Sequence, residues 1–474
     1  MYAHPRMVKR LMLMLALLTA CGALGLSTMD WGGAARAAGT RVTAAGPGPA
    51  VPQDTTTPCV PQGAWSVVPA PDAGSYANGL YGVAAVSPND AWAVGEQYYS
   101  AYSSYIPLVE HWNGSAWAVV QASQYGVSLR SVAALAANDV WAVGWLGGYS
   151  TSPLAEHWDG STWTYVQVSA AGARKLYGVA GVASNDVWAV GQGINGVVIV
   201  HWNGTTWSPA TVPVITNGVL NSVTAVAAND AWAVGTANNG ETVILHWDGS
   251  SWTRVASPNS GAYINVLTSV SAISASDIWA VGYWATSGVD YHGYTLHWDG
   301  VQWTAAGNPT APDRPDDPTP AGTYLYGVAA LPSGEAWAVG RNLQTAGATS
   351  VTLHLQGGTW SRVPSPNPGY ANSNLYAVAA AGPGSAWAVG NRDTSSLGYT
   401  YPLTERYSGA VCPTATPGGS TPTPVPPPAT HTPLPTPPPA ATGTPPCGTG
   451  VWNAVPAPDG GSYSNALYAA ASLG

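Results

Sequence analysis

"LYGVAAVSPNDAWAVG", Leu80–Gly95, decides the fold, because altered copies of it recur down the chain. "WAVG" begins at Trp92, Trp141, Trp188, Trp232, Trp279, Trp337 and Trp387, at intervals of 44 to 58 residues. Ahead of each copy lies a small-residue segment: "GVAAV", "SVAAL", "GVAGV", "SVTAV", "SVSAI", "GVAAL" or "AVAAA". A tight turn such as "SPND" or "AAND" separates the two. Behind each "WAVG" come a variable loop, a third segment usually ending in "HWNG" or "HWDG", and a fourth such as "SAWAVV" or "STWTYV". Short apolar segments bounded by Gly, Asn, Asp or Pro, with no sustained helical period, read as strands joined by hairpins. Repeats of this length bury their faces against their neighbours, and four-stranded units arranged radially make a propeller. The expectation is an all-β, seven-bladed β-propeller of four-stranded antiparallel blades. The small first strand suits the innermost position, where blades converge and space is short.

The unit resembles the kelch repeats of the galactose-oxidase-like propeller superfamily, with "WAVG" in place of the aromatic-aliphatic strand that ends in glycines and "HWNGSAW" (His111–Trp117) in place of the aromatic-then-Trp feature. It also resembles "WAVG…HWNG" arrays of exported bacterial repeat proteins. The resemblance covers about Cys59–Cys412, and it departs from kelch in having one glycine, not two, after the aromatic strand.

Ring closure is written at the two ends of the array. The seventh repeat has "LYAVAAAG", "WAVG" and "YPLTERYSG" and then runs into "AVCP", without a fourth strand. "GAWSVVPAP", Gly63–Pro71, is a fourth strand with no repeat before it. The N-terminal strand is therefore predicted to supply the outer strand of blade seven, which removes the exposed sheet edges. Cys59 precedes that strand and Cys412 follows its partner, so a Cys59–Cys412 disulfide is expected as a clasp, worth about 4–5 kcal/mol in the chain-entropy model for so long a loop.

The rest of the chain divides by composition. Residues 1–38 read as a targeting leader: Arg6, Lys9 and Arg10 precede the apolar run Leu11–Leu26. Two processing readings stand. "LTAC" resembles a lipoprotein box, which would lipidate Cys21, and "ARA" (Ala35–Ala37) resembles an ordinary cleavage site. Residues 39–58 read as a disordered linker, 59–412 as the propeller, and 413–446 as a Pro/Thr-rich extended linker. Residues 447–474 read as the truncated start of a second propeller copy, since "AVPAPDGGSYSNALY" matches "VVPAPDAGSYANGLY" at eleven of fifteen positions. The expected location is extracellular or at the cell surface, where disulfides are permitted, with the membrane reached only through a lipid on Cys21. Charged residues make up 8% of the chain and the net charge is −9. No basic stripe offers a nucleic-acid footprint. A monomer without cofactor or bound metal is expected.

Slots that recur in every blade read as structure. Nineteen of the 23 Trp fill three such slots, and among the remainder Trp145 and Trp284 have no repeat role. One slot holds His111, His157, His201, His246, His297 and His354, with Arg406 in the seventh repeat. A radial arrangement keeps these far apart, so they read as hydrogen-bonded blade residues and not as a metal ring. Asp90, Asp139, Asp186, Asp230 and Asp277 read as turn residues bonding their own backbone. Asp313, Asp316 and Asp317 offer oxygen ligands of the kind calcium takes, but their spacing does not match an EF-hand loop, and a solvated acidic loop is the preferred reading.

The links between strands two and three, and from strand four to the next blade, vary in length and composition and emerge on one side. Binding residues belong on such loops, and their Tyr, Ser, Asn and Gly content resembles antibody-like recognition surfaces. The candidate ligand-binding residues are Glu96, Tyr98, Tyr99, Trp145, Gln192, Tyr283, Trp284, Tyr291, Arg341, Asn391 and Arg392; no residue is nominated as catalytic. Three functions are consistent with this: an exported non-catalytic propeller binding carbohydrate or extracellular protein, a propeller enzyme of glycoside hydrolase or lyase type, and a structural surface spacer.

Overall fold

The computed structural model describes residues 63–409 apart from 72–76, 101–103, 123–126, 148–150, 290, 307–321, 345–346, 383 and 395–398. Cys21, Cys59, Cys412, the acidic loop with Asp313, the leader, the Pro/Thr-rich linker and the second copy lie outside the described residues. The described chain forms seven four-stranded antiparallel sheets, a seven-bladed propeller. Blade one runs from inside outward through Asn78–Ser87, Asp90–Tyr99, Ser104–Trp112 and Trp117–Val119. The next five blades repeat that order.

Blade seven takes Ser373–Gly382, Ser385–Asp393 and Thr400–Ser408 from the C-terminal end of the array and Ala64–Val67 from the N-terminal end. The donated strand pairs antiparallel with its neighbour, Trp65 opposite Tyr407 and Val67 opposite Glu405.

Each second strand is buried on both faces because a blade lies on either side. From Ala91 to Gly95 every residue is buried. Trp92 and Val94 pack toward blade two, against Leu129 and Val132. Ala91 and Ala93 face the other way, toward Trp387 and Val389 of blade seven. Outer strands are short, with the Trp buried and the following two residues exposed, as in Trp117–Val119.

Tryptophans lock adjacent blades. Trp92 stacks on His111 of its own blade, with ring centroids 4.2 Å apart. Its other contacts come from blade two: Trp158 at 4.9 Å and Trp163, edge-on, at 5.4 Å. The same cage recurs around Trp141, Trp188 and Trp232. Across the closure, Trp387 of blade seven meets Trp112 and Trp117 of blade one at 4.8 and 5.0 Å.

The His slot is structural, as its repetition implied. His111, His157, His201, His246 and His297 each place Nε2 2.7–3.0 Å from the Oδ1 of the Asp that opens the second strand. The Asp residues thus bond across the blade, not to their own backbone as the turn reading expected; their position at the strand start aligns them with the His opposite. Arg406 substitutes in blade seven, its guanidinium 5.3 Å over Trp387 and its Nη2 donating to the Pro88 carbonyl of blade one at 3.3 Å.

The glycine of "WAVG" has a steric cause. A Cβ on Gly95, Gly144, Gly191, Gly235, Gly282, Gly340 or Gly390 would lie 1.8–1.9 Å from a carbonyl oxygen of the paired inner strand. The inner strand of every blade bulges two residues after that carbonyl. One glycine per blade is what this contact requires. Inner strands also crowd one another: a Cβ on Gly82 would lie 2.9 Å from the Cα of Ser131. Where Ser takes that slot it sews blades together, Ser131 Oγ accepting from Val179 N and Ser222 Oγ from Val270 N, each at 3.2 Å.

Candidate binding site at the mouth of the axial channel

A bulged residue loses its cross-strand partner and has its side chain re-aimed. In blade one the register slips between Leu80 and Gly82, which leaves Tyr81 out of the ladder. The equivalent slips leave out Arg130 and Tyr177 in blades two and three. Asn221 and Thr268 are released in blades four and five, and Tyr326 and Tyr376 in blades six and seven. All seven side chains converge on the axis and line a cavity of about 170 Å³. They lie near the start of each inner strand, at the end where the variable links emerge.

Three tyrosines from adjacent blades form an arc. Tyr81 and Tyr376 have ring centroids 5.4 Å apart, and Tyr376 and Tyr326 5.5 Å. A guanidinium stands at each end. Arg130 lies 3.9 Å over the Tyr81 ring. Arg341 lies 5.0 Å over Tyr324 and 5.8 Å over Tyr326. Burial pushes the Tyr81 and Tyr326 hydroxyls well above the ordinary phenol range, and Glu96 raises Tyr81 further. Burial also raises Tyr376, with Arg341 and then the Asn391 bond pulling the other way. These hydroxyls therefore stay protonated near neutrality.

The residue after "WAVG" pairs with the position two before the bulged residue and leans toward the next blade. Glu96 accepts the Tyr81 hydroxyl proton at 3.0 Å and meets Arg130 Nη2 at 3.4 Å. Trp145 lies edge-on to Tyr177 at 5.6 Å, with Arg130 at 4.6 Å and Lys175 Nζ at 4.5 Å from its ring. Tyr283 reaches Tyr324 at 4.9 Å, and Tyr291 stacks on Tyr324 at the same distance. Asn391 Oδ1 accepts from Tyr376 Oη at 3.3 Å and from Asn374 Nδ2 at 2.9 Å.

Of the sequence candidates, Glu96, Trp145, Tyr283, Tyr291, Arg341 and Asn391 thus meet around the channel mouth. Gln192 holds the equivalent rim position in blade three, half-buried in register with Lys175. The others sit elsewhere. Tyr98 packs edge-on against Tyr105 at 5.4 Å, and Tyr99 ends its strand, exposed. Trp284 stacks on His292 at 4.3 Å and packs on the core shared with Trp232 and Leu267. Arg392 lies on the opposite blade face from Asn391, in register with Ser373 and Tyr401. The bulged residues themselves, with Lys175 and Tyr324, were not among the candidates. A signal for the bulged set exists: between the invariant Leu and the small residue of "LYGV", "LRSV", "LNSV" or "LTSV", one inner-strand position varies widely.

Comparison with known proteins gives propellers. The chain is similar to the RRP9 WD40 repeats, with a TM-score of 0.50 and 8% identity over 73% of this chain and 97% of that one. The likeness is one of fold. Weaker likenesses are to YCF48 bound to D1 peptide (TM-score 0.47, 15% identity, 73% and 96% covered) and to the fucose-specific lectin from Aleuria aurantia (0.42, 14%, 62% and 96%). No protein-family model matches the chain, and no curated protein matches it.

Proposed function

We propose that the chain is an exported, non-catalytic binding propeller that recognises carbohydrate or protein at the cell surface through its variable-loop face. One observation carries this reading: aromatic rings border the channel mouth in two groups, Trp145 with Tyr177 and the run from Tyr81 through Tyr376, Tyr326 and Tyr324 to Tyr283 and Tyr291, with the Arg130 guanidinium against both Tyr81 and Trp145. Rigid aromatic area bordered by hydrogen-bonding groups favours recognition at low entropic cost. The blade slots beneath it are occupied by structural contacts, so sequence variation at the mouth is free to serve a ligand. Glu96 is held by both Tyr81 and Arg130, which suits it to position Arg130.

The test is a glycan array and a partner capture from the native cell envelope, run with the wild type and with Trp145→Ala and Tyr283→Ala. At least one ligand should be bound, and each variant should weaken it tenfold or more, about 1.4 kcal/mol. Binding unchanged by both substitutions, or none at all, would refute the assignment.

A further inference from the structure

Two guanidinium groups stand at opposite ends of the tyrosine arc at the channel mouth. Arg130 comes from blade two and Arg341 from blade six, and the arc Tyr81–Tyr376–Tyr326 runs between them. Arg130 shares its charge with Glu96 at 3.4 Å. Arg341 makes no ion pair among the described residues, and its Nε is buried without a hydrogen-bond partner. Lys175 stands beside them over Trp145. A chain of net charge −9 carries only 14 Lys and Arg, and three of them stand at this mouth, where Glu96 is the carboxylate in contact with them among the described residues. A local positive field in an acidic protein concentrates anions there.

The chemistry of the lining narrows the anion. A guanidinium presents a planar fork that matches a carboxylate. The tyrosine rings offer flat apolar area; the Tyr81 and Tyr376 hydroxyls already donate to Glu96 and Asn391, which leaves their oxygens as acceptors for a sugar hydroxyl. The cavity is small, about 170 Å³, and is lined by one residue from each inner-strand bulge, which suits a small ring and not a folded segment. A pyranose has an apolar C–H face, a rim of hydroxyls and, in acidic sugars, one carboxylate.

We propose that the mouth of the axial channel binds a carboxylate-bearing pyranose of an acidic glycan, its carboxylate on Arg341 at the rim and its ring against Tyr326 and Tyr376. The proposal rests on the binding-face reading above and specifies its ligand. Arg341 supplies the uncompensated charge, while the charge of Arg130 is shared with Glu96.

The experiment is isothermal titration of the purified full-length protein at low salt with trigalacturonate, its methyl ester, sialyllactose, lactose and triglutamate. At least one acidic sugar should bind, its neutral counterpart at least tenfold more weakly. Arg341→Gln, which keeps most of the stem, should weaken binding of the acidic sugar tenfold or more while leaving the melting temperature within a few degrees. Arg341→Lys should recover part of the loss. Equal binding of acid and neutral forms, triglutamate binding as tightly as the sugars, or full affinity in Arg341→Gln would each overturn the proposal. So would no binding of either acidic sugar. Failure here leaves the broader reading to the array and capture, where Trp145→Ala and Tyr283→Ala report on any neutral glycan or protein ligand independently.

Discussion

Trp65, from the N-terminal strand, lies edge-on to Trp337 of blade six, with ring centroids 5.2 Å apart and planes at 87°. It occupies the cage position that Trp117 and Trp163 take at other blade interfaces. The strand that closes the ring therefore also completes the core between blades six and seven, where Trp65 is buried with Val339, Leu375 and Tyr407. Trp65→Ala should cost about 3–5 kcal/mol, the usual cost of emptying a buried aromatic site. A fall in the urea midpoint as large as that of Trp117→Ala is expected; a variant as stable as the wild type would mean that the strand is dispensable.

The "WAVG" glycine offers a sharper contrast. A Cβ on Gly235 would sit 1.9 Å from the Val219 carbonyl oxygen, whereas one on Gly288 would meet nothing within 4 Å. Gly235→Ala should abolish the bulge that presents Asn221 and should lower the melting temperature by ten degrees or more, or prevent soluble expression, since overpacking against backbone has little room to relax. Gly288→Ala should change the melting temperature by less than two degrees. Equal behaviour of the two would remove the steric explanation for the motif.

How much of this was legible in the sequence follows from which contacts repeat. The Trp, His, Asp and Gly slots recur because every blade interface poses the same packing problem, so spacing alone exposed the blades and the closure. The rim position after "WAVG" was legible for the same reason, because it is counted from a fixed mark. Tyr81 and its equivalents were not, since a bulge leaves no periodic trace within a strand that otherwise reads as small residues. Trp284 misled because its partner, His292, lies across a loop of variable length.

The His–Asp pairs lie at the end of the blades away from the channel mouth, which makes structure and function separable. His201 Nε2 is 2.7 Å from Asp186 Oδ1, and its ring stacks on Trp188 at 4.1 Å. Asp186→Ala should destabilise by about 1–2 kcal/mol, the cost of stranding a half-buried polar partner. His201→Ala should cost more, because it also uncovers Trp188. In a double-mutant cycle the two losses should fall short of additivity. Neither should alter ligand affinity at the opposite face; a tenfold change in affinity from His201→Ala would assign the His slot a binding role instead.

Glu405 gives the fold a pH dependence of unusual sign. Its side chain is fully buried on the face of blade seven that meets blade six, with Ser365 Oγ donating to Oε2 at 2.6 Å. Burial pushes its pKa up to about 7 from 4.5, against the opposing pull of the Ser365 bond. The unfolded chain ionises this carboxyl above pH 4.5, while the folded one keeps its proton until about 7. Its contribution is therefore intact below pH 4.5 and is lost progressively up to about pH 7, by about 3 kcal/mol in total, since each unit of pKa difference is worth about 1.4 kcal/mol. Most paired surface carboxylates act in the opposite direction, stabilising as pH rises. Glu405→Gln keeps the shape, can still accept from Ser365 and cannot ionise. Urea unfolding of wild type and variant at pH 4.5, 5.5, 6.5 and 7.5 should show the variant gaining on the wild type at each step and levelling off above 7. Parallel curves would mean that the folded protein solvates the carboxylate after all.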